Sequence, residues 1–167
     1  MAAMTGQLAL LALVGDLVVA LDAAAIAQLR RAADLAARRV EPAVFALELD
    51  GETVPGWDAG ELLGLGACDA SWVIVRLAAI HDGRRFGLRL GRCVAVQRLP
   101  ACHAIPPSLF AARAGAIAAA FSTAELAAQL VAPSGIVIDL ARLLTPAELA
   151  LGARLRVRSE VAFERVS

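Results

Sequence analysis

The side chains that could carry acid–base or nucleophilic chemistry are few in this 167-residue chain. His81 and His103 are the only two histidines, and every basic residue is arginine. Cys102 and His103 are neighbours, and successive side chains of an extended segment point in opposite directions, so these two cannot pair directly. A catalytic triad would need one of the two histidines, and a phosphate-binding loop of the Walker type would need a lysine. The inventory therefore predicts a protein that is not an enzyme.

The three cysteines do not form a recognisable metal or disulfide pattern. Cys68, Cys93 and Cys102 are odd in number and contain no Cys-x-x-Cys pair. Zinc sites and disulfide frameworks both depend on regular, paired spacings. We therefore expect reduced, buried thiols, with neither a metal nor a cofactor.

The charge pattern excludes two further classes of function. The formal net charge is zero and both signs are scattered along the chain, so no basic face is available to neutralise a nucleic-acid backbone. The apolar stretch at 8–29 is interrupted by Asp16 and Asp22, and each carboxylate near a bilayer centre costs about 2.5–3.5 kcal/mol. No basic residue precedes that stretch, as a secretory signal would require. The sequence predicts a soluble, cytoplasmic protein with no membrane insertion.

Two-residue turns between apolar runs give the strongest structural signal. Gly15–Asp16, Asp50–Gly51 and Asp82–Gly83 each separate two such runs, as the turns of β-hairpins do. Ser134–Gly135 introduces a further apolar run at 136–140. Several short strands at this spacing favour a mainly β fold of small barrels over a helical bundle.

Capping residues predict short helices between the strands. Asp22 can cap a helix that runs toward Arg31, and the patterns Asp58-x-x-Glu61 and Thr145-x-x-Glu148 can each begin another. Ser122 could likewise cap a helix that includes residues 126–131. The segment from Ala153 to Ser167 alternates charged and apolar side chains, which fits an edge strand or an exposed arm.

Several segments, in order and in spacing, resemble the CheW-like family, the coupling proteins of bacterial chemotaxis arrays. They span residues 11–22, 48–65, 72–96 and 135–144. The second overlies a family pattern of Asn-Leu-Arg-Gly followed by Pro and Asp-Leu. The resemblance implies one domain over residues 8–150, built from two five-stranded SH3-like β-barrels at about 8–66 and 70–145, followed by a tail at 151–167.

The resemblance also implies a function. It predicts a non-catalytic adaptor that binds the regulatory domain of a histidine kinase and the cytoplasmic tip of a methyl-accepting receptor. The chain departs from the family at one hairpin tip, where Glu48, Asp50 and Glu52 replace Asn, Arg and an often basic or apolar residue. Because charge complementarity steers docking, we expect this acidic tip to meet a basic partner surface. A solvated turn with no partner would explain the same residues.

The predicted partner-binding residues fall into three groups. One is the hairpin tip, the second lies on the outer face of the first helix, and the third lines a groove between the barrels, although Trp57 suits a core equally well. A small-molecule-binding module, or a degenerate homologue that has lost one partner, stays open as an alternative. The residues are Glu48, Leu49, Asp50, Gly51 and Glu52; Gln28 and Arg30; and Val54, Trp57 and Leu62.

Overall fold

Short β-strands dominate the computed structural model, which describes residues 5–77, 83–105, 113–126 and 132–164. The strands are β1 (Leu8–Val14), β2 (Leu17–Asp22), β3 (Ile26–Arg31), β4 (Ala37–Glu41), β5 (Val44–Leu49), β6 (Glu52–Asp58), β7 (Ser71–Arg76), β8 (Arg85–Leu90), β9 (Cys93–Arg98), β10 (Cys102–His103), β11 (Ile117–Ser122) and β12 (Ser134–Ile138). The helices are α1 (Ala59–Leu62), α2 (Leu140–Leu143) and α3 (Pro146–Glu164).

The strands form two six-stranded sheets. The first sheet has the order β10-β11-β12-β2-β1-β9 and the second β3-β7-β8-β6-β5-β4. This confirms the mainly β prediction, but over the described ranges the sheets are open and six-stranded, not closed five-stranded barrels. Nor does the division between sheets fall at residues 66–70. The hairpin β1–β2 joins strands from 93–138, and residues 26–90 supply the second sheet, because strand pairing links distant segments.

Two of the three predicted hairpin turns, at residues 15–16 and 50–51, form where turn chemistry placed them. Gly15 has a φ of 58°, and its flanking strands pair in register from Val14 with Leu17. Asp50 and Gly51 have φ values of 52° and 81°, the two left-handed positions that a type I′ turn requires. Strands β7 and β8 also pair antiparallel. Asp82, in the turn predicted between them, lies outside the described residues.

The helix predicted after Asp22 is wrong. Asp22 does act as a cap, since its Oδ1 accepts a hydrogen bond from Ala24 N at 3.0 Å. It begins only a three-residue 3₁₀ turn, after which β3 pairs with β7. Burial along β3 alternates strictly between half-buried and exposed, which is the period of a strand and not of a helix.

The other capping patterns hold. Asp58 caps α1, and Thr145 and Glu148 exchange hydrogen bonds at the start of α3, from Thr145 N to Glu148 Oε2 at 2.8 Å and from Glu148 N to Thr145 Oγ1 at 3.3 Å. The tail is not an edge strand over the described residues, because α3 continues to Glu164. Ser122 caps a 3₁₀ turn at 123–125, and most of the helix predicted after it lies outside the described residues.

Three apolar clusters form the core. The central one lies between the sheets and includes Leu21, Trp57 and Phe86, and Leu155 of α3 joins it. Another covers the far face of the first sheet. The last, here called the inner core of the second sheet, contains Leu35, Phe45, Leu47, Leu49, Val54, Trp72 and Ile74. Since both sheets share the central cluster, the fold positions them as one body.

Candidate partner-binding surface

The structure brings together two groups of residues that the sequence placed on separate elements. Gln28 and Arg30 lie on β3, an edge strand of the second sheet. Asp50 lies in the turn between β5 and β6, and Glu52 begins β6. Arg30 Nη2 lies 3.9 Å from Asp50 Oδ1, so the hairpin tip reaches the β3 edge. Arg30 Nε also donates to Gln28 Oε1 at 3.3 Å. These four side chains form one polar cluster.

Arg85, which sequence reasoning missed, lies at the centre of this cluster. Its Nη1 donates to Asp50 Oδ2 and its Nη2 to Glu52 Oε2, both at 2.9 Å. The hydrogen bond from Arg85, followed by one from Gln28, lowers the pKa of Asp50. The same bonds to Asp50 and Glu52 raise the pKa of Arg85. Strand β8 pairs in parallel with β6, which lies far from it in the chain. No local sequence pattern could therefore predict the contact of Arg85 with Asp50 and Glu52.

The hairpin tip is therefore not a free acidic surface. Two guanidinium groups, those of Arg30 and Arg85, face the carboxylates of Asp50 and Glu52. Glu48 is exposed, and its Oε1 accepts a hydrogen bond from Thr53 Oγ1 at 3.0 Å. The charge reversal seen in the sequence is largely compensated within the chain. A partner that docks here meets a nearly neutral polar cluster.

The predicted groove residues lie in the core. Val54 and Trp57 are 0% exposed and Leu62 is 6% exposed. Leu49, predicted at the hairpin tip, is also buried, at 1% exposed. Trp57 packs edge-to-face on Phe86, with ring centroids 5.9 Å apart. The expectation that these side chains contact a partner is corrected, because burial leaves them no surface with which to touch one. Val54 belongs to the inner core of the second sheet and Trp57 to the central cluster, so both faces of β6 are covered.

An exposed apolar side chain lies on the same edge strand as the polar cluster but on the opposite face of the sheet. Leu29 is 51% exposed and lies on β3 between Gln28 and Arg30. Within the described ranges β3 pairs only with β7, so its outer edge carries no neighbouring strand. Exposed apolar side chains at sheet edges are typical of docking surfaces. Sequence reasoning missed Leu29 because it assigned this segment to a helix.

A separate cavity of about 210 Å³ opens where the two sheets meet at one end. Its walls are mainly apolar, with the carboxylates of Asp22 and Asp139 among them. Both carboxylates already accept backbone hydrogen bonds as caps, each at 3.0 Å. The lining residues are Gln7, Asp22, Ala25, Leu77, Ala118, Ile138, Asp139, Leu140 and Ala141.

Reactive groups do not converge in the described part of the chain. Burial raises the pKa of the Cys68, Cys93 and Cys102 thiols, which keeps them protonated at neutral pH. His103 is exposed on β10, and His81 lies outside the described residues. No group of three or more His, Cys, Asp or Glu side chains in the described segments could hold a metal ion. None of the helices described is long and apolar enough to cross a membrane.

Comparison with known proteins supports the fold. Neither a family model nor a curated protein sequence matches the chain. Among solved structures it is similar to the scaffolding protein TtCheW from Thermoanaerobacter tengcongensis, with a TM-score of 0.67 and 15% sequence identity. The match covers 84% of this chain and 89% of that one. The fold is therefore CheW-like, which confirms the resemblance found in the sequence at the level of architecture.

Proposed function

We propose that this protein is a non-catalytic, cytoplasmic signalling adaptor that couples a chemoreceptor-type protein to a histidine kinase through protein–protein contacts. The observation that carries the proposal is the similarity to a scaffolding protein, which extends over most of both chains. The described residues agree with it, because they expose docking edges and do not assemble a reactive site.

The β3 edge is the docking surface that the geometry favours. Leu29 supplies apolar area on one face of the edge strand, and Gln28, Arg30, Asp50, Glu52 and Arg85 supply a charge-balanced polar cluster on the other face. A partner that docks along the open edge of β3 would contact both faces. Glu48 and Gly51 lie at or beside the neighbouring hairpin tip, and Leu29 provides the apolar contact.

The coupling mechanism is geometric. Both sheets pack on one central cluster, so surfaces on different sheets keep a fixed relative position. A receptor and a kinase that bind the same body are therefore held at a fixed spacing. A shift in the receptor is transmitted as a change in the arrangement of the bound kinase, without chemistry in the adaptor.

Direct binding measurements test this proposal. The full chain would be titrated with the kinase regulatory domain and with the receptor cytoplasmic tip encoded in the same genome. Leu29→Glu should weaken one of these complexes by about tenfold or more, because it buries an unpaired charge in an apolar contact. Leu65→Glu is the matched control, since Leu65 is 40% exposed and follows α1, away from β3. Failure of both partners to bind the wild-type chain would refute the adaptor function.

The cavity between the sheets supports a second candidate, a small-molecule-binding module. Its volume of about 210 Å³ and mainly apolar lining suit a small ligand. Native mass spectrometry of the purified chain distinguishes the two. A retained small molecule, lost when Ala118 is replaced by Phe to fill the cavity, would favour this candidate over the adaptor.

A further inference from the structure

Two of the four large apolar side chains that the described ranges expose form one patch at an edge of the first sheet. Leu8 is 47% exposed and Val96 is 56% exposed. Val96 pairs with Leu10, which belongs to the central cluster, and Leu8 lies two residues before Leu10 on β1. Cross-strand partners and residues two apart share a face, so Leu8 and Val96 are diagonal neighbours on that face. These two side chains are called the β9 patch below.

The backbone beside the β9 patch has hydrogen-bonding groups that face away from the sheet. Over the described ranges β9 is an edge strand and pairs only with β1. Leu99 N donates to Gln7 O and Leu99 O accepts from Gly6 N, both at 2.9 Å, so the backbone groups of Leu99 face β1. Because these groups alternate in direction along a strand, Val96 and Arg98 direct theirs outward. Another strand can therefore pair with β9 along this edge.

The edge strands of the two sheets differ in the charges that they carry. Charged side chains commonly keep edge strands from pairing with other chains. Strands β3 and β4 each carry two adjacent arginines, at 30–31 and 38–39. Residues 93–97 of β9 are uncharged, and Arg98 at its end donates Nη1 to Gly6 O at 2.9 Å. The β9 edge therefore lacks the charges that protect β3 and β4.

We propose that two copies of this chain dimerise by antiparallel pairing of their β9 strands, which brings their β9 patches together. A two-fold axis perpendicular to the sheet relates such strands, so each residue keeps its face and one residue can lie opposite itself. Val96 opposite Val96 of the second copy gives one apolar strip of four side chains, with a Leu8 at each end. The formal net charge of the chain is zero, so two copies do not repel each other as whole molecules.

Charge favours this register over its neighbours. With Val96 opposite itself, Arg98 lies opposite Val94 of the second copy, and the two Arg98 residues are about 14 Å apart along the strands. That separation exceeds the Debye length of about 8 Å at physiological ionic strength. A shift of two residues in one direction would set Arg98 opposite Arg92 of the second copy, where like charges are destabilising. The opposite shift would bring the two Arg98 residues to about 7 Å along the strands.

The proposed interface is short and closed. The pairing of β9 with β1 shifts register between Ala95 and Cys93, so residues 95–98 form the regular part of the edge. Such a small interface predicts a dissociation constant in the micromolar range or weaker. Pairing uses the same edge of both copies, which gives a closed dimer and not a filament. Strand β3 belongs to the other sheet, so the dimer would offer two β3 edges to partners.

Sedimentation velocity of the full chain tests the dimer between about 1 μM and 1 mM, a range that covers weak interfaces. We expect the average mass to rise with concentration from one copy toward two. Val96→Arg should weaken the dimer by about tenfold or more, because it sets two cations directly opposite each other. Leu65→Arg is the matched control and should leave the dimer unchanged, since Leu65 is 40% exposed and follows α1, away from β9.

A mixture of two charge variants tests whether Val96 meets Val96. Val96→Arg and Val96→Glu should each associate weakly alone, whereas an equimolar mixture should form a heterodimer, seen by native mass spectrometry.

Amide hydrogen exchange on the ¹⁵N-labelled wild-type chain reports the strand pairing itself. The amides of Val96 and Arg98 should become protected as the concentration rises. The amide of Leu99, which is bonded to Gln7, should be protected at every concentration.

Four results would overturn the proposal. They are a wild-type chain that stays monomeric up to about 1 mM, an equal effect of Leu65→Arg and Val96→Arg, a mixture of charge variants that associates no better than either alone, and Val96 and Arg98 amides whose exchange is independent of concentration. The wild-type measurements need no variant to fold. The dimer does not rest on the adaptor function, since none of these measurements contains a kinase or a receptor.

Discussion

Replacement of Trp57 tests whether this side chain lines a partner-binding groove or belongs to the hydrophobic core. The side chain is 0% exposed and packs edge-to-face on Phe86. Truncation of a buried aromatic residue to alanine typically costs about 3–5 kcal/mol. The ring pair contributes about 0.5–1.5 kcal/mol of that cost. Trp57→Ala should therefore lower the free energy of unfolding by about 3–5 kcal/mol.

Urea unfolding followed by circular dichroism measures this loss directly. Thermal unfolding of the same variant should show a Tm lower by about 6–20 °C, since each kcal/mol shifts the Tm of a chain of this size by about 2–4 °C. Trp57→Phe keeps a ring against Phe86 and should lose less. Leu29→Ala is the surface control, because a side chain that is 51% exposed should cost about 0.5 kcal/mol or less.

Partner binding of the same variants completes the test. Under conditions where each variant remains folded, Trp57→Phe should bind its partners with wild-type affinity. Leu29→Ala should bind one of them more weakly. The reasoning would be refuted if Trp57→Ala kept its stability within about 0.5 kcal/mol and lost partner binding. That result would make Trp57 a surface contact.

Two other substitutions test the chain's packing and its charges. Burial opposes ionisation of Glu148, but the hydrogen bonds and charge of Arg113, together with the hydrogen bonds to Thr145, outweigh it and the pKa of Glu148 is lowered. Its stabilisation is therefore present above the unfolded pKa of about 4.3 and lost as the pH falls through the folded value. Glu148→Gln should cost about 1.5–3 kcal/mol at neutral pH, and a difference from wild type that persisted undiminished in strong acid would contradict this. Gly60→Ala should destabilise by about 1–3 kcal/mol, measured by urea unfolding, because its Cβ would overlap the backbone oxygen of Gly66. Gly115→Ala, with open space around it, should be tolerated, and equal losses from the two would reject the packing argument.

Local chemistry explains why the turns and caps were predictable. A type I′ turn depends on the φ angles of two adjacent residues, which Asp50 and Gly51 adopt at 52° and 81°. The capping box depends on two side chains three residues apart, Thr145 and Glu148. The helix predicted after Asp22 is wrong because Asp22 does cap a turn, but burial in the residues that follow alternates with the two-residue period of a strand.

By itself, the sequence determined the mainly β class, the hairpins, the caps and the resemblance to the CheW-like family, because each depends on neighbouring residues or on patterns along the chain. Only the tertiary structure decided which residues form the candidate surface. The parallel pairing of β6 with β8 brings Arg85 to the hairpin tip, and sheet stacking buries Trp57. Both contacts join residues far apart in the chain. Their free energy depends on long-range packing, which no local pattern of residue types encodes.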